Sequence, residues 1–234
     1  MKNIQPHQPS HLSPYARACL DALVKAGLAS HISLGGALGL FHYFDYRPTH
    51  DVDAWWSDSL TEKERQAVVQ VLETVLASFG KVRIRSWGDV DSLELQQEGK
   101  TVFSFQIARR STHLEEPISA GWIDIPLDSL ADLAASKMTA LVERGAPRDF
   151  LDIYTLCQAG VLRTDECWAL WRRRQTLAGS DADVSRARLA IETHLERIAL
   201  HRPLENITDL EEREQARQVR DWYLNEFLQD EGLH

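Results

Sequence analysis

The chain has 234 residues and a formal net charge of −9, with 44% hydrophobic and 26% charged residues. That balance is expected of a soluble globular protein able to bury a core as one domain or two small lobes. The acidic sum argues against a broadly basic nucleic-acid binder. No stretch approaches the ~20 apolar residues of a membrane span, and the opening "MKNIQPHQPSHLSP" lacks the apolar run of a signal peptide. Cys19, Cys157 and Cys167, odd in number and without metal-ligand spacing, suggest reduced thiols in a cytoplasmic protein.

Residues 1–13 read as a flexible lead-in rich in Pro and His. Apolar residues at helical spacing predict a helix over 14–28, with Gly27 where it stops. "SHISLGGALGLFHYF" reads as a short strand, a Gly-Gly turn and a helix from about Ala37. A strand over 51–56 follows, then an amphipathic helix with Thr61 as N-cap and Glu64 in the capping-box position. Strands are predicted over 82–86, 92–97 and 101–108, the last two joined by the hairpin signal "QEGK", with a further short strand at "WIDI". After Pro126 the pattern is helical: 129–144, 148–159, 164–176, 182–200 and 210–228. The expected class is α+β, with a small mixed-sheet lobe over 14–128 and an all-helical lobe over 129–234.

Three stretches carry chemistry. In "RPTHDVDAWW" the carboxylates of Asp51 and Asp53 stand at i and i+2 on a strand, so they share one face. Two like charges that close need a cation between them, and paired hard oxygen ligands suit Mg²⁺ with substrate phosphates completing its shell. Upstream, Gly35-Gly36 opens a helix, where backbone N–H groups can meet phosphate oxygens. Downstream, Lys137, Arg144 and Arg148 recur at roughly helical spacing and give one face three cations.

"GGALGLFHYFDYRPTHDVD" followed by "LADLAASKMTALVERGAPRDFLDIYTL" resembles the AbiEii/AbiGii toxin family of nucleotidyltransferases, within the polymerase-β-like superfamily. The resemblance covers residues 15–160 well and the helical tail loosely. It implies that Asp51 and Asp53 are the metal-binding pair, that Gly35 and Gly36 meet the nucleotide phosphates, and that Lys137 contacts the nucleotide. It makes Asp149 the acid of the "RD" element beside the site and a candidate general base. Arg47, Thr49 and Arg144 join the candidate nucleotide contacts. The expected activity is Mg²⁺-dependent transfer of a nucleotide from an NTP to a tRNA or protein acceptor. The chain would then be the toxin of a toxin–antitoxin or phage-defence pair, with an antitoxin protein as partner.

One position departs from the superfamily pattern. Gln106 falls on the later strand where a third carboxylate is usual, and Glu94 and Asp124 are the nearest substitutes. This keeps a rival reading open, a catalytically weak or inactive scaffold that binds nucleotide, nucleic acid or an antitoxin. The other features have plainer readings. The basic clusters Lys81-Arg83-Arg85, Arg109-Arg110 and Arg172–Arg174 read as solvated faces, and Trp55 and Trp56 as core. His50-Asp51 enters a strand, whereas an HD-type phosphohydrolase uses a helical pair with further His ligands.

Overall fold

Alternating apolar residues at 52–56 and 103–107 are realised as strands of one sheet, and the 3.6-residue patterns after Pro126 as helices. The computed structural model describes residues 4–229. Residues 1–3 of the expected lead-in and 230–234 of the expected helical lobe lie outside the described residues. Two compact units result, Ile4–Leu133 and a second beginning at Ala134.

The first unit contains α1 (Pro14–Lys25), β1 (Ile32–Leu34), α2 (Gly36–Phe41), β2 (Asp51–Trp56), α3 (Glu62–Ala77), β3 (Lys81–Trp87), β4 (Val90–Gln97), β5 (Lys100–Ala108), β6 (Ile118–Ser119) and β7 (Pro126–Leu127). The seven strands form one mixed sheet in the order β3-β4-β5-β2-β1-β7-β6. β2 runs parallel to β5 and β1 parallel to β7, while the other neighbours are antiparallel. One sheet face is apolar: Val52, Ala54, Trp56, Leu93, Leu95, Phe103, Phe105 and Ile107 are all buried. α3 packs against β3, β4 and α1 through Val68, Leu72 and Leu76, and Tyr15 of α1 meets Phe103 at 5.7 Å between ring centroids.

Local chemistry explains the element ends. Thr61 and Glu64 form the expected reciprocal capping box, satisfying N–H groups that the helix start leaves without partners. The β4–β5 hairpin turns on Glu98 and Gly99 at φ +50° and +77°, the left-handed pair a tight two-residue turn demands. Residues 4–13 are irregular but tied down, with the His7 N–H donating to the His42 carbonyl at 2.8 Å. The strand expected at "WIDI" does not form. Residues 121–125 bend instead, Gly121 takes φ +80°, and the Trp122 ring stacks on His42 at 5.9 Å. Only Pro126–Leu127 pairs, through Leu127 beside Leu34.

The helices that follow are α4 (Leu130–Glu143), α5 (Pro147–Gln158), α6 (Thr164–Leu177), α7 (Val184–His201) and α8 (Leu210–Trp222), which ends in a π-helical turn, Tyr223–Phe227. In the second unit, Phe150, Trp168, Trp222, Tyr223 and Phe227 build an aromatic core with ring centroids 4.8–5.2 Å apart. A mixed sheet followed by helices alone is the α+β order expected. Among the described residues no helix is long and apolar enough to cross a membrane.

His42 gives the first unit a pH dependence. Its ring has no accessible surface, Nδ1 donates to the Leu38 carbonyl at 2.8 Å, and burial pushes its pKa down from 6.5 to about 4. Between those values the unfolded chain takes up a proton that the folded chain refuses. The His42 contribution is therefore fully present above about pH 6.5 and is lost as pH falls towards 4, at about 1.4 kcal/mol per pH unit. Urea unfolding at a series of pH values should show His42→Phe with a shallower fall in stability over that window than the unsubstituted chain.

Candidate active site

The two faces of β2 differ in character. Val52, Ala54 and Trp56 point into the core, while Asp51, Asp53 and Trp55 share the opposite face. Parallel pairing with β5 sets Ser104 beside Asp51 and Gln106 beside Asp53, and residues paired across strands share a face. The Ser104 hydroxyl donates to Asp51 Oδ1 at 2.7 Å. Gln106 is thus on the carboxylate face, at the position expected for a third acid. Glu94 lies on the same face beside Ser104, but its carboxylate is 3.5 Å from Arg85 Nε and 4.0 Å from Arg83 Nη1. It is turned towards β3 and does not complete the pair.

The Gly35-Gly36 step is dictated by how closely the chain passes β2. A Cβ on Gly35 would collide with the Trp55 indole, and one on Gly36 with the Asp53 carboxylate; Gly36 also has φ +58°. Only glycine lets the backbone lie against that face. The Gly35 N–H donates to the Asp53 carbonyl at 2.9 Å, so this amide is not the phosphate donor the sequence suggested. Thr49, another expected nucleotide contact, uses its hydroxyl on the backbone N–H of Asp51 at 3.3 Å and so shapes the entry to β2. Arg47 lies over the rings of Phe41 and Tyr46 at 5.3 and 5.8 Å.

Beneath Trp55 sits a buried polar network that the sequence did not reveal. Asp128 accepts from Ser33 Oγ at 3.1 Å and from Trp55 Nε1 at 2.9 Å, and it pairs with Arg110. The Asp128 N–H donates to the Leu34 carbonyl, and its carbonyl accepts from the Tyr43 hydroxyl, both at 2.9 Å. Burial pushes the Asp128 carboxyl above its usual range, and the Arg110 guanidinium opposes that push. Arg110, read from sequence as part of a solvated cluster, has a side chain only 7% exposed and lies 5.4 Å from the Trp55 ring centroid. Trp55 likewise is not plain core, because its indole is a hydrogen-bond donor on the site face.

In the second unit the expected site residues form two ion pairs. Lys137 Nζ lies 2.6 Å from Asp152 Oδ2, with both side chains nearly or fully buried. The Lys137 cation that the sequence sets on a helix face is therefore ion-paired within the fold. The positions four residues away on α4 carry no acid, but α5 supplies one. Arg144 grips Asp149 with two parallel bonds, both 2.8 Å. Asp149 is fully buried, which corrects its reading as a general base, since a base must reach the proton it takes. Its geometry suits it to orienting Arg144, whose side chain is 52% exposed.

The family model described as the nucleotidyl transferase AbiEii toxin of type IV toxin–antitoxin systems matches residues 18–230. The chain belongs to this family. A crystal structure of an antigenic nucleotidyltransferase-like protein from Paracoccidioides brasiliensis is similar at 14% identity and a TM-score of 0.40, over 90% of this chain and 95% of that one. None of the curated proteins matches the sequence.

Within this AbiEii chain the Lys137–Asp152 pair sets a clear expectation. Removing one member of a buried pair leaves an uncompensated charge, at a cost of about 3–5 kcal/mol. Lys137→Met should lower the unfolding free energy by about that amount, and Lys137→Met with Asp152→Leu should recover most of the loss. Chemical denaturation of the two variants checks it. Equal stability of single variant and unsubstituted chain would mean the ammonium is solvated.

Proposed function

We propose that this AbiEii family member transfers a nucleotide from an NTP to a hydroxyl of a tRNA or protein acceptor in the cytoplasm, as the toxin partner of an antitoxin protein. The observation that carries this reading is the shared face of Asp51 and Asp53, closed on one side by the Gly35-Gly36 backbone and on the other by Ser104 and Gln106. Two hard carboxylates fit Mg²⁺, which binds through one or two such groups and completes its shell with phosphate oxygens and water. Asp51 and Asp53 would hold it, and it supplies neutralisation of the charge that builds on the leaving pyrophosphate.

In the reaction the acceptor oxygen bonds to the α-phosphorus, the bond to the bridging oxygen breaks and pyrophosphate leaves. Transfers of this kind depend mainly on positioning and charge. Lys137, held by Asp152, and Arg144, held by Asp149, are cations each pre-oriented by a buried carboxylate. With Gln106 beside Asp53, no carboxylate stands there to take the acceptor proton, which passes to water. Incubation with each of the four α-labelled NTPs, total tRNA and cell lysate should label an acceptor. Asp51→Asn with Asp53→Asn should abolish the label; labelling that survives this change would overturn the assignment of the pair.

Gln106 also favours a second reading, a scaffold that binds nucleotide without turning it over. Because Gln106 is in register with Asp53, Gln106→Asp places a third carboxylate on the same face. A rise in labelling with Gln106→Asp is expected if the weakness lies in proton removal. Mg·NTP binding by thermal shift, with no label from either form, would favour the scaffold.

A further inference from the structure

The face that carries Asp51 and Asp53 does not end at β5. Strand register continues it outward: Ser104 pairs with Glu94 and Glu94 with Arg83, while Gln106 pairs with Ser92 and Ser92 with Arg85. Lys81 pairs with Gln96 in the same alternation. Lys81, Arg83, Arg85 and Trp87 therefore occupy every second position of β3, on the carboxylate side of the sheet. β3 is an edge strand, so this row borders open solvent.

We propose that this row is the docking track for a nucleic-acid acceptor, with Lys81, Arg83 and Arg85 meeting successive phosphates and Trp87 stacking on an unpaired base. The proposal rests on the nucleotidyltransferase reading and names the acceptor's backbone as what the same face recognises. The cations are available: the Arg83 and Arg85 side chains are 50% and 46% exposed, and Lys81 is exposed. Glu94 is one carboxylate set against three cations, and its contacts at 3.5 and 4.0 Å are loose. In a chain of net charge −9, this is a local reversal of sign.

Trp87 supplies the second element of the pattern. It is 52% exposed at the end of the row, just before Gly88 turns the chain into β4. An exposed indole beside a cationic row is the arrangement that binds single-stranded nucleic acid, because every base offers a π-face. Alternate residues stand about 6.7 Å apart along a strand. The row lies three strand spacings from Asp51, about 14 Å, a few nucleotides along an acceptor strand. An acidic protein acceptor would use the cations but gives Trp87 no role.

The test is fluorescence anisotropy with a fluorescein-labelled RNA hairpin bearing a short single-stranded 3′ end, and a DNA hairpin of the same sequence as the other arm. The full chain should bind, with affinity falling with salt. Lys81→Gln/Arg83→Gln/Arg85→Gln should weaken binding about tenfold or more and flatten the log–log salt dependence by about 2, from three contacts at ~0.7 each. Arg83→Glu/Arg85→Glu, which keeps the edge strand charged, should weaken binding about tenfold or more and flatten that dependence by about 1.4, from two contacts at ~0.7 each. Trp87→Ala should weaken binding about fivefold or more and leave the salt slope unchanged, which a general loss of charge would not do. RNA bound more tightly than DNA, or both equally, identifies the acceptor type within the proposal.

Asp51→Asn/Asp53→Asn should keep hairpin binding. No labelling by the unsubstituted chain, with intact, β3-dependent hairpin binding, would sink the enzyme reading and leave the track standing. Binding of neither probe, equal binding by all the β3 variants, or labelling of an acidic protein unaffected by β3 changes would overturn the track.

Discussion

Asp128 is the residue on which the site's construction depends. From one buried position it holds Ser33 and Leu34 of β1, the indole of Trp55 on β2, the hydroxyl of Tyr43 after α2 and the guanidinium of Arg110. A buried carboxylate is costly unless its acceptors are filled, and here both oxygens are. Because Trp55 is fixed, the Gly35-Gly36 backbone has a rigid plane to lie against, and that backbone in turn abuts Asp53. The carboxylate pair is thus oriented from below by groups that do not touch it.

The second unit uses the same physical device twice. Lys137 and Arg144 are long, flexible cations, and each loses rotamer freedom to a buried aspartate on α5. The arrangement is sensitive to single losses, because each aspartate is fully buried and paired with a cation.

Short-range pattern was legible, and long-range pairing was not. The two-residue period of Asp51, Asp53 and Trp55 announced both the strand and the face, and Thr61 with Glu64 announced the start of α3, because those signals lie within a few residues. Arg110 beside its neighbour Arg109 gave no hint of burial, since its partner Asp128 is 18 positions away. The pairing of Lys137 is hidden for the same reason: its own helix offers no acid four residues away, and its partner belongs to α5. The predicted strand at 122–125 failed because β-propensity cannot register that a tryptophan ring is wanted on His42. Gln106 was placed correctly beside Asp53 because the parallel β2–β5 register keeps the alternation of both strands.

The position of β3 has a consequence for how these molecules coexist in solution. An outer strand presents unpaired backbone N–H and C=O groups, a template onto which a second chain can add. Along β3, three of the four side chains on one face are cations. Two copies brought edge to edge would have to bring those charges together, and the repulsion disfavours sheet extension. Ile84, on the other face of the same strand, is 37% exposed and is the kind of apolar residue that such an edge would otherwise offer to a neighbour. The charge pattern that marks one side of the sheet therefore also keeps the sheet finite.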